Sequence, residues 1–302
     1  MRIPLNFTQD FLPERSLLSK LMQFAQSGQK GNKEEIGEIT GIPTGKSSGK
    51  VEAIIFYGLG MGLISAKKEG GKWSLGLTEL GNFIYSEDRY LSEPLTIWLL
   101  HLMLCRRHDL SDPARGTVDA WFSLFADGNH RLGSSFEQEA YTSFLTERHG
   151  KKNYLKGLTG QVLRTYLEPK CLGLIQVLTL EMKKKMRIYH RNSAPVDEIY
   201  FPAYTAYLFL IWDELYPKER QIAFDELNHQ SRIASLLLWE KSTLFQWLQW
   251  MSDNRILQLD RQTGGTLILR LQSTSQIISN IFPQSEILVK ELELLRHQYC
   301  EF

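Results

Sequence analysis

The chain has 302 residues, enough for two or three domains of ordinary size. Hydrophobic content of 43% and charged content of 23% are those of a soluble globular protein, and three scattered cysteines (Cys105, Cys171 and Cys300) without a CxxC pair argue against a disulfide framework or a cysteine-built zinc site and fit a reducing cytoplasm. A net charge of +1 excludes a globally basic nucleic-acid binder, so attraction to phosphates must come from local patches.

The first residues, MRIPLNFTQDFLPE, hold no apolar signal core. After Pro13 and Glu14, the apolar residues Leu17, Leu18, Leu21, Met22 and Ala25 recur at helical spacing. Residues 28–32 break this helix, 33–39 form a short second one, and the turn GIPTGKSSGK follows. A third helix spans 50–61, with Val51, Ile54, Ile55 and Leu59 on one face. Two short apolar runs, 63–66 and 73–75, flank a Lys-Lys-Glu-Gly-Gly turn and predict a β-hairpin. Three helices followed by a hairpin is the order of a winged helix-turn-helix.

Residues 82–134 are denser in apolar and aromatic side chains and predict packed helices that form a core or connector. Pro94 suits a first helical turn, with Ser92 or Glu93 ahead of it as cap. His101 lies on an apolar helix, where a hydrogen-bonded core residue is the expected role; the longest apolar run, 95–105, is too short to span a bilayer, and no membrane contact is expected. The order of helix, short break and two strands then recurs near 163–191 and near 244–271, although the second hairpin turn lacks glycine. Trp239, Trp247 and Trp250 share a helical stretch with Leu236, Leu237, Leu244 and Leu248 and are expected in a core. Residues 285–299 carry a last helical pattern. The fold expectation is mainly α with small β-hairpins: tandem winged helix-turn-helix modules joined by an apolar helical segment. The divisions are 1–81, 82–134, 135–195 for a second winged-helix-like module, and 196–302 for the C-terminal module with its terminal helix.

The turn GIPTGKS resembles a nucleotide-binding loop but fails its pattern. Thr40 stands where the first glycine belongs, and the charged helical segment KEEIGEIT takes the place of the buried strand. No bound nucleotide is expected. As the corner of a helix-turn-helix, the stretch would cap its third helix with Ser47 and Ser48 and present Lys46 and Lys50 to an anion. A capped surface turn with two solvated lysines is the competing reading; the hairpin that follows favours DNA phosphates. The same reasoning selects Lys67, Lys68 and Lys72 around the first hairpin and Lys183, Lys184, Lys185 and Arg187, with His190 and Arg191, around the second. Arg148, Lys151, Lys152 and Lys156 precede that second hairpin. Each run alone would be ordinary protection of an edge strand; their shared position on wings points to phosphate.

His108, Asp109, Asp112, Asp127, His130, Glu137 and Glu139 could hold a divalent metal for phosphodiester cleavage, but no known ligand spacing organises them. Catalytic and metal-binding residues are therefore left unassigned.

The segments GIPTGKSSGKVEAIIFYGLGMGLI, GLTELGNFIYSEDRYLSEPLTIWLLHLML and DAWFSLF resemble the B component of Ssp-type DNA phosphorothioation systems, a family of uncharacterised-domain proteins. The resemblance is close over about the first 125 residues and follows the order of elements beyond. It implies a double-stranded DNA-binding, strand-nicking protein, dependent on Mg2+ or Mn2+, that serves sulfur insertion into the DNA backbone and defence against phage. It also implies a cysteine desulfurase, an ATPase and an ATP-pyrophosphatase-like enzyme as partners. The alternative is a non-enzymatic winged-helix adaptor or transcriptional regulator.

Overall fold

Asn32 and Glu35 close a capping box: the Asn32 side chain accepts from the Glu35 backbone N–H, and the Glu35 carboxylate accepts from that of Asn32. This start signal lies within what the sequence reads only as a break. A computed structural model describes residues 3–44, 49–107, 118–262 and 265–282. In it α1 (Arg15–Gln26) buries Leu17, Leu18, Leu21, Met22, Phe24 and Ala25. A two-residue strand, β1 (Lys30–Gly31), precedes α2 (Lys33–Thr40), which ends at Gly41 with a left-handed φ of 66°. Then come α3 (Gly49–Gly60), β2 (Ile64–Glu69), β3 (Lys72–Leu77) and α4 (Glu79–Glu87). Gly70 and Gly71 turn the hairpin with φ of 55° and 80°, the positive values a two-residue primed turn demands.

The apolar segment forms α5 (Pro94–Leu104), with every residue from Leu95 to Leu104 buried. A helix apolar on all sides must be surrounded by protein. Here α10 (Phe201–Leu215), nearly as apolar, packs along it. At about 1.5–3 kcal/mol per large buried side chain, this pair is a major source of stability. Pro94 takes the first helical position as expected, but neither Ser92 nor Glu93 caps with its side chain. Instead the Asp88 carboxylate accepts from both their backbone N–H groups, each at 2.9 Å.

After α6 (Asp119–Phe122) the helix widens into a π-turn, Ser123–Asp127, and tightens again as α7 (Gly128–Arg131). The second unit follows: β4 (Ser135–Phe136), α8 (Gln138–His149), α9 (Leu155–Leu167), β5 (Leu178–Lys183) and β6 (Met186–Arg191). The third begins after α10 with β7 (Gln221–Ala223), α11 (Phe224–Ser231), α12 (Ile233–Leu237) and α13 (Lys241–Asp253). It closes with β8 (Leu257–Gln262), β9 (Gly265–Arg270) and α14 (Thr274–Ser279).

All three sheets are three-stranded and antiparallel, with one topology. The short first strand pairs with the last, which pairs with the middle one: β1-β3-β2, β4-β6-β5 and β7-β9-β8. The described residues are thus mainly helical with three small sheets. The short first strands escape sequence reading because two or three residues carry no period. The buried apolar residues of all three units form one contiguous core.

One expectation changes. Trp239 does not share a helix with Trp247 and Trp250, because Leu238 adopts a φ of 52° and separates α12 from α13. Its core role stands: Trp239 and Trp247 are buried, and the Trp239 indole donates to the Ala194 carbonyl at 2.9 Å. The helix expected at 285–299 lies outside the described residues.

Candidate functional site

Around the first hairpin, the lysines selected from sequence are paired. Lys68 meets Glu52 at 2.6 Å and lies 4.8 Å from the centre of the Trp73 ring. Lys72 meets Glu35 at 3.5 Å, and Lys67 meets Glu69 at 3.4 Å. The bond from the Asn32 backbone, with Lys72 beside it, holds the Glu35 carboxyl below its ordinary pKa. Lys50 lies in the first turn of α3 but is partly covered, 3.4 Å from Glu14 and 5.9 Å from the Phe11 ring centre. Lys46, Ser47 and Ser48, with the cap expected there, lie outside the described residues. The segment ahead of that turn is α2, a helix, where a nucleotide loop needs a strand.

The second hairpin is different. Lys183, Lys184, Lys185 and Arg187 are all exposed and form no ion pair among the described residues. Lys184 and Lys185 make the turn with φ of 48° and 73°. Register confirms a two-residue turn, because Lys183 pairs with Met186. A β-hairpin thus forms without the glycines that its sequence lacks, with lysines in a conformation that costs about 1–2 kcal/mol per L-residue. Lys151, Lys152 and Lys156 are also exposed.

Three basic residues near this hairpin are bound to neighbouring protein groups. His190 is partly covered between Ser135 at 2.8 Å and Glu181 at 3.0 Å. Arg191 is buried, donating to the Leu124 carbonyl at 2.7 Å and to the Asn129 side chain. Burial pushes its pKa down to about 10.

Arg148 is the third, and it organises a cluster that the sequence did not group. From α8 it donates to Asp119 at 2.9 Å and to Asp127 at 3.0 Å. Eight positions on a regular α-helix would turn the second carboxylate about 80° away from the first. A wide π-turn lies between them and Arg148 reaches both carboxylates; such turns recur at functional sites. His149 Nε2 lies 2.5 Å from Asp119 Oδ2, the Ser123 hydroxyl lies 3.2 Å from the same oxygen, and Arg232 donates to Asp127 at 3.2 Å. Arg107 completes the group, near Arg232 and Arg148 and bonded to Gln230 at 3.3 Å. Burial, then the charge of Arg232, lowers the Arg107 pKa. Burial also opposes the Arg148 charge, but the bonds and field of Asp119 and Asp127 outweigh it and raise its pKa.

This donor set does not fit a divalent cation. Magnesium needs open carboxylate oxygens in octahedral array, whereas Asp119 and Asp127 are both engaged by guanidinium groups. Among the described residues no three His, Cys, Asp or Glu side chains gather as a metal site. His130, Glu137 and Glu139 are exposed, while His108, Asp109 and Asp112 lie outside the described residues.

His101 has the core role expected of it. Its Nδ1 lies 2.7 Å from the Tyr166 hydroxyl, and burial pushes its pKa down to about 3. Cys105 and Cys171 are buried free thiols. No helix among the described residues is long and apolar enough to cross a membrane.

The family model described as "Protein of unknown function (DUF4007)" matches residues 10–284, and the chain belongs to that family. No curated protein is significantly similar in sequence. Among solved structures, a magnesium ion-bound SspB crystal structure superposes with a TM-score of 0.68 at 15% identity, covering 93% of this chain and 87% of that one. A second SspB crystal structure superposes with a TM-score of 0.65 at 14% identity, covering 97% of this chain and 96% of that one. The chain therefore shares the SspB fold over most of its length.

Proposed function

We propose that this DUF4007 member is the DNA-contacting component of a bacterial DNA phosphorothioation system. It would grip double-stranded DNA through tandem winged-helix modules and nick one strand to open the backbone to sulfur insertion. The observation that carries the DNA reading is the second hairpin. Its four exposed cations have no ion-pair partner among the described residues and project from a unit whose strand–helix–helix–hairpin order supports a winged-helix reading. Such unneutralised charge on a nearly neutral protein suits a polyphosphate backbone. The SspB fold and the sequence resemblance to Ssp B components support the phosphorothioation setting. They also suggest a cysteine desulfurase, an ATPase and an ATP-pyrophosphatase-like protein as partners, in the cytoplasm.

The second reading is a DNA-tethering adaptor or transcriptional regulator without nuclease activity. It is favoured by the engagement of Asp119 and Asp127 with arginines. A supercoiled plasmid incubated with the protein and Mg2+, Mn2+ or EDTA separates the two. The magnesium ion in one SspB structure makes Mg2+ the first choice. Conversion to open circles that EDTA abolishes is expected of the nickase. Retarded supercoils without open circles would leave the adaptor, and no retardation at all would overturn both.

A further inference from the structure

The second hairpin carries more than charge. Partners across the strands point to one face, so Leu178, Leu180, Met182, Arg187 and Tyr189 share one side and Lys183 and Met186 the other. The first side is core at its base, where Leu178 and Tyr189 are buried. It then leaves the protein: Leu180 is 38% exposed and Met182 62% exposed. On the opposite side Met186 is 46% exposed. The blade therefore ends in an unpacked methionine on each face, with lysines at Lys183, Lys184 and Lys185 and arginine at Arg187.

None of this serves the stability of the chain. Two exposed methionines bury little, and the tip lysines hold the left-handed conformation that glycines hold in the first hairpin. Strain retained at an exposed tip is a mark of function. The first hairpin, by contrast, has glycines at its tip and its lysines paired with glutamates.

We propose that the β5–β6 hairpin is a DNA-distorting wedge. Its cations clamp the flanking phosphates while Met182 and Met186 enter a base step from the minor groove, unstack it and bend the duplex. The proposal rests on the DNA-binding reading above and commits to DNA as the occupant, because tip cations beside exposed methionines match phosphates beside stacked bases. Apolar wedges of this kind kink a duplex by about 20–90°. A locally unstacked, bent backbone would also be the substrate form presented for strand opening.

The test uses the full chain and a short duplex with a fluorophore at each end. Energy transfer reports bending, anisotropy reports affinity across a salt series, and circular dichroism confirms folding. The wild type is expected to raise energy transfer on binding. The Met182→Ala, Met186→Ala variant should keep the salt slope and lose the rise. Alanines at Lys183, Lys184, Lys185 and Arg187 should reduce the slope by about 0.9 for each lost phosphate contact. A methionine variant that bends DNA as the wild type does overturns the wedge, as it would if the hairpin served a protein partner. Wild-type binding without bending also overturns the wedge but leaves the DNA-binding reading standing. Absence of wild-type binding overturns both.

Discussion

Arg148 grips Asp119 side-on, with Nη2 2.9 Å from Oδ1 and Nε 3.3 Å from Oδ2. Both side chains are largely covered, and Arg148 also reaches Asp127, so α8 is tied to both ends of the segment that contains the π-turn. Removing Arg148 takes the guanidinium from the largely covered Asp119, which keeps His149 and Ser123, while Asp127 keeps Arg232. Arg148→Met should therefore lower unfolding stability by about 3–5 kcal/mol. Adding Asp119→Asn should cost less than the sum of the two single changes, with a coupling of about 0.5–3 kcal/mol. Urea denaturation of the singles and the double measures both; full additivity would show that the two do not act as a pair.

His101 makes acid stability specific to one residue. The folded chain keeps this imidazole neutral down to about pH 3, whereas an unfolded histidine titrates near 6.5. Between those values the unfolded state binds the extra proton. The stability that the group contributes is complete above about 6.5 and falls as pH drops towards 3, by at most about 1.4 kcal/mol per pH unit. His101→Gln lacks this dependence. The stability gap between wild type and His101→Gln, read from denaturation midpoints at pH 7 and pH 4, should narrow in acid; a constant gap would contradict it.

The tip of the second hairpin predicts a trade between stability and affinity. Lys184→Asn with Lys185→Gly supplies the residues that such a turn favours and should raise stability by about 1–2 kcal/mol. If both lysines meet phosphates, the same change should lower the DNA salt slope by about 1.8. Thermal melting and a salt titration of DNA affinity read the two effects on one protein.

The two hairpins should differ in what their charges contribute to DNA binding. Alanines at Lys67, Lys68 and Lys72 remove cations already facing Glu69, Glu52 and Glu35. That change should shift the salt slope less than alanines at Lys183, Lys184 and Lys185 do. Equal shifts would show that the carboxylates do not shield the first hairpin.

Much of the chain's local order was legible. Apolar residues at helical spacing marked α1, Val51, Ile54 and Ile55 marked the buried side of α3, and Pro94 marked the start of α5. The three hairpins could be read from short apolar runs either side of a polar turn, even where the turn was Lys184-Lys185. The first strands of the sheets could not, because Lys30–Gly31 and Ser135–Phe136 exist only through pairing with a strand far along the chain. The arginine–aspartate cluster had one overlooked signal, the charged pair Arg148–His149 ending a helix beyond two separated aspartates. Charge alone grouped Arg148 with the exposed lysines.

The amino-acid sequence by itself determined the succession of helices and hairpins, because caps, turn residues and apolar period act between neighbours a few positions apart. Only the tertiary structure decided which charges are available. Lys68 and Glu52 are 16 residues apart, Arg148 and Asp119 are 29 apart, and Arg232 and Asp127 are 105 apart, yet each pair is in contact. Coulomb attraction and desolvation depend on distance and burial in space. Two lysine-rich hairpins that look alike in sequence therefore become one neutralised and one open to a polyanion.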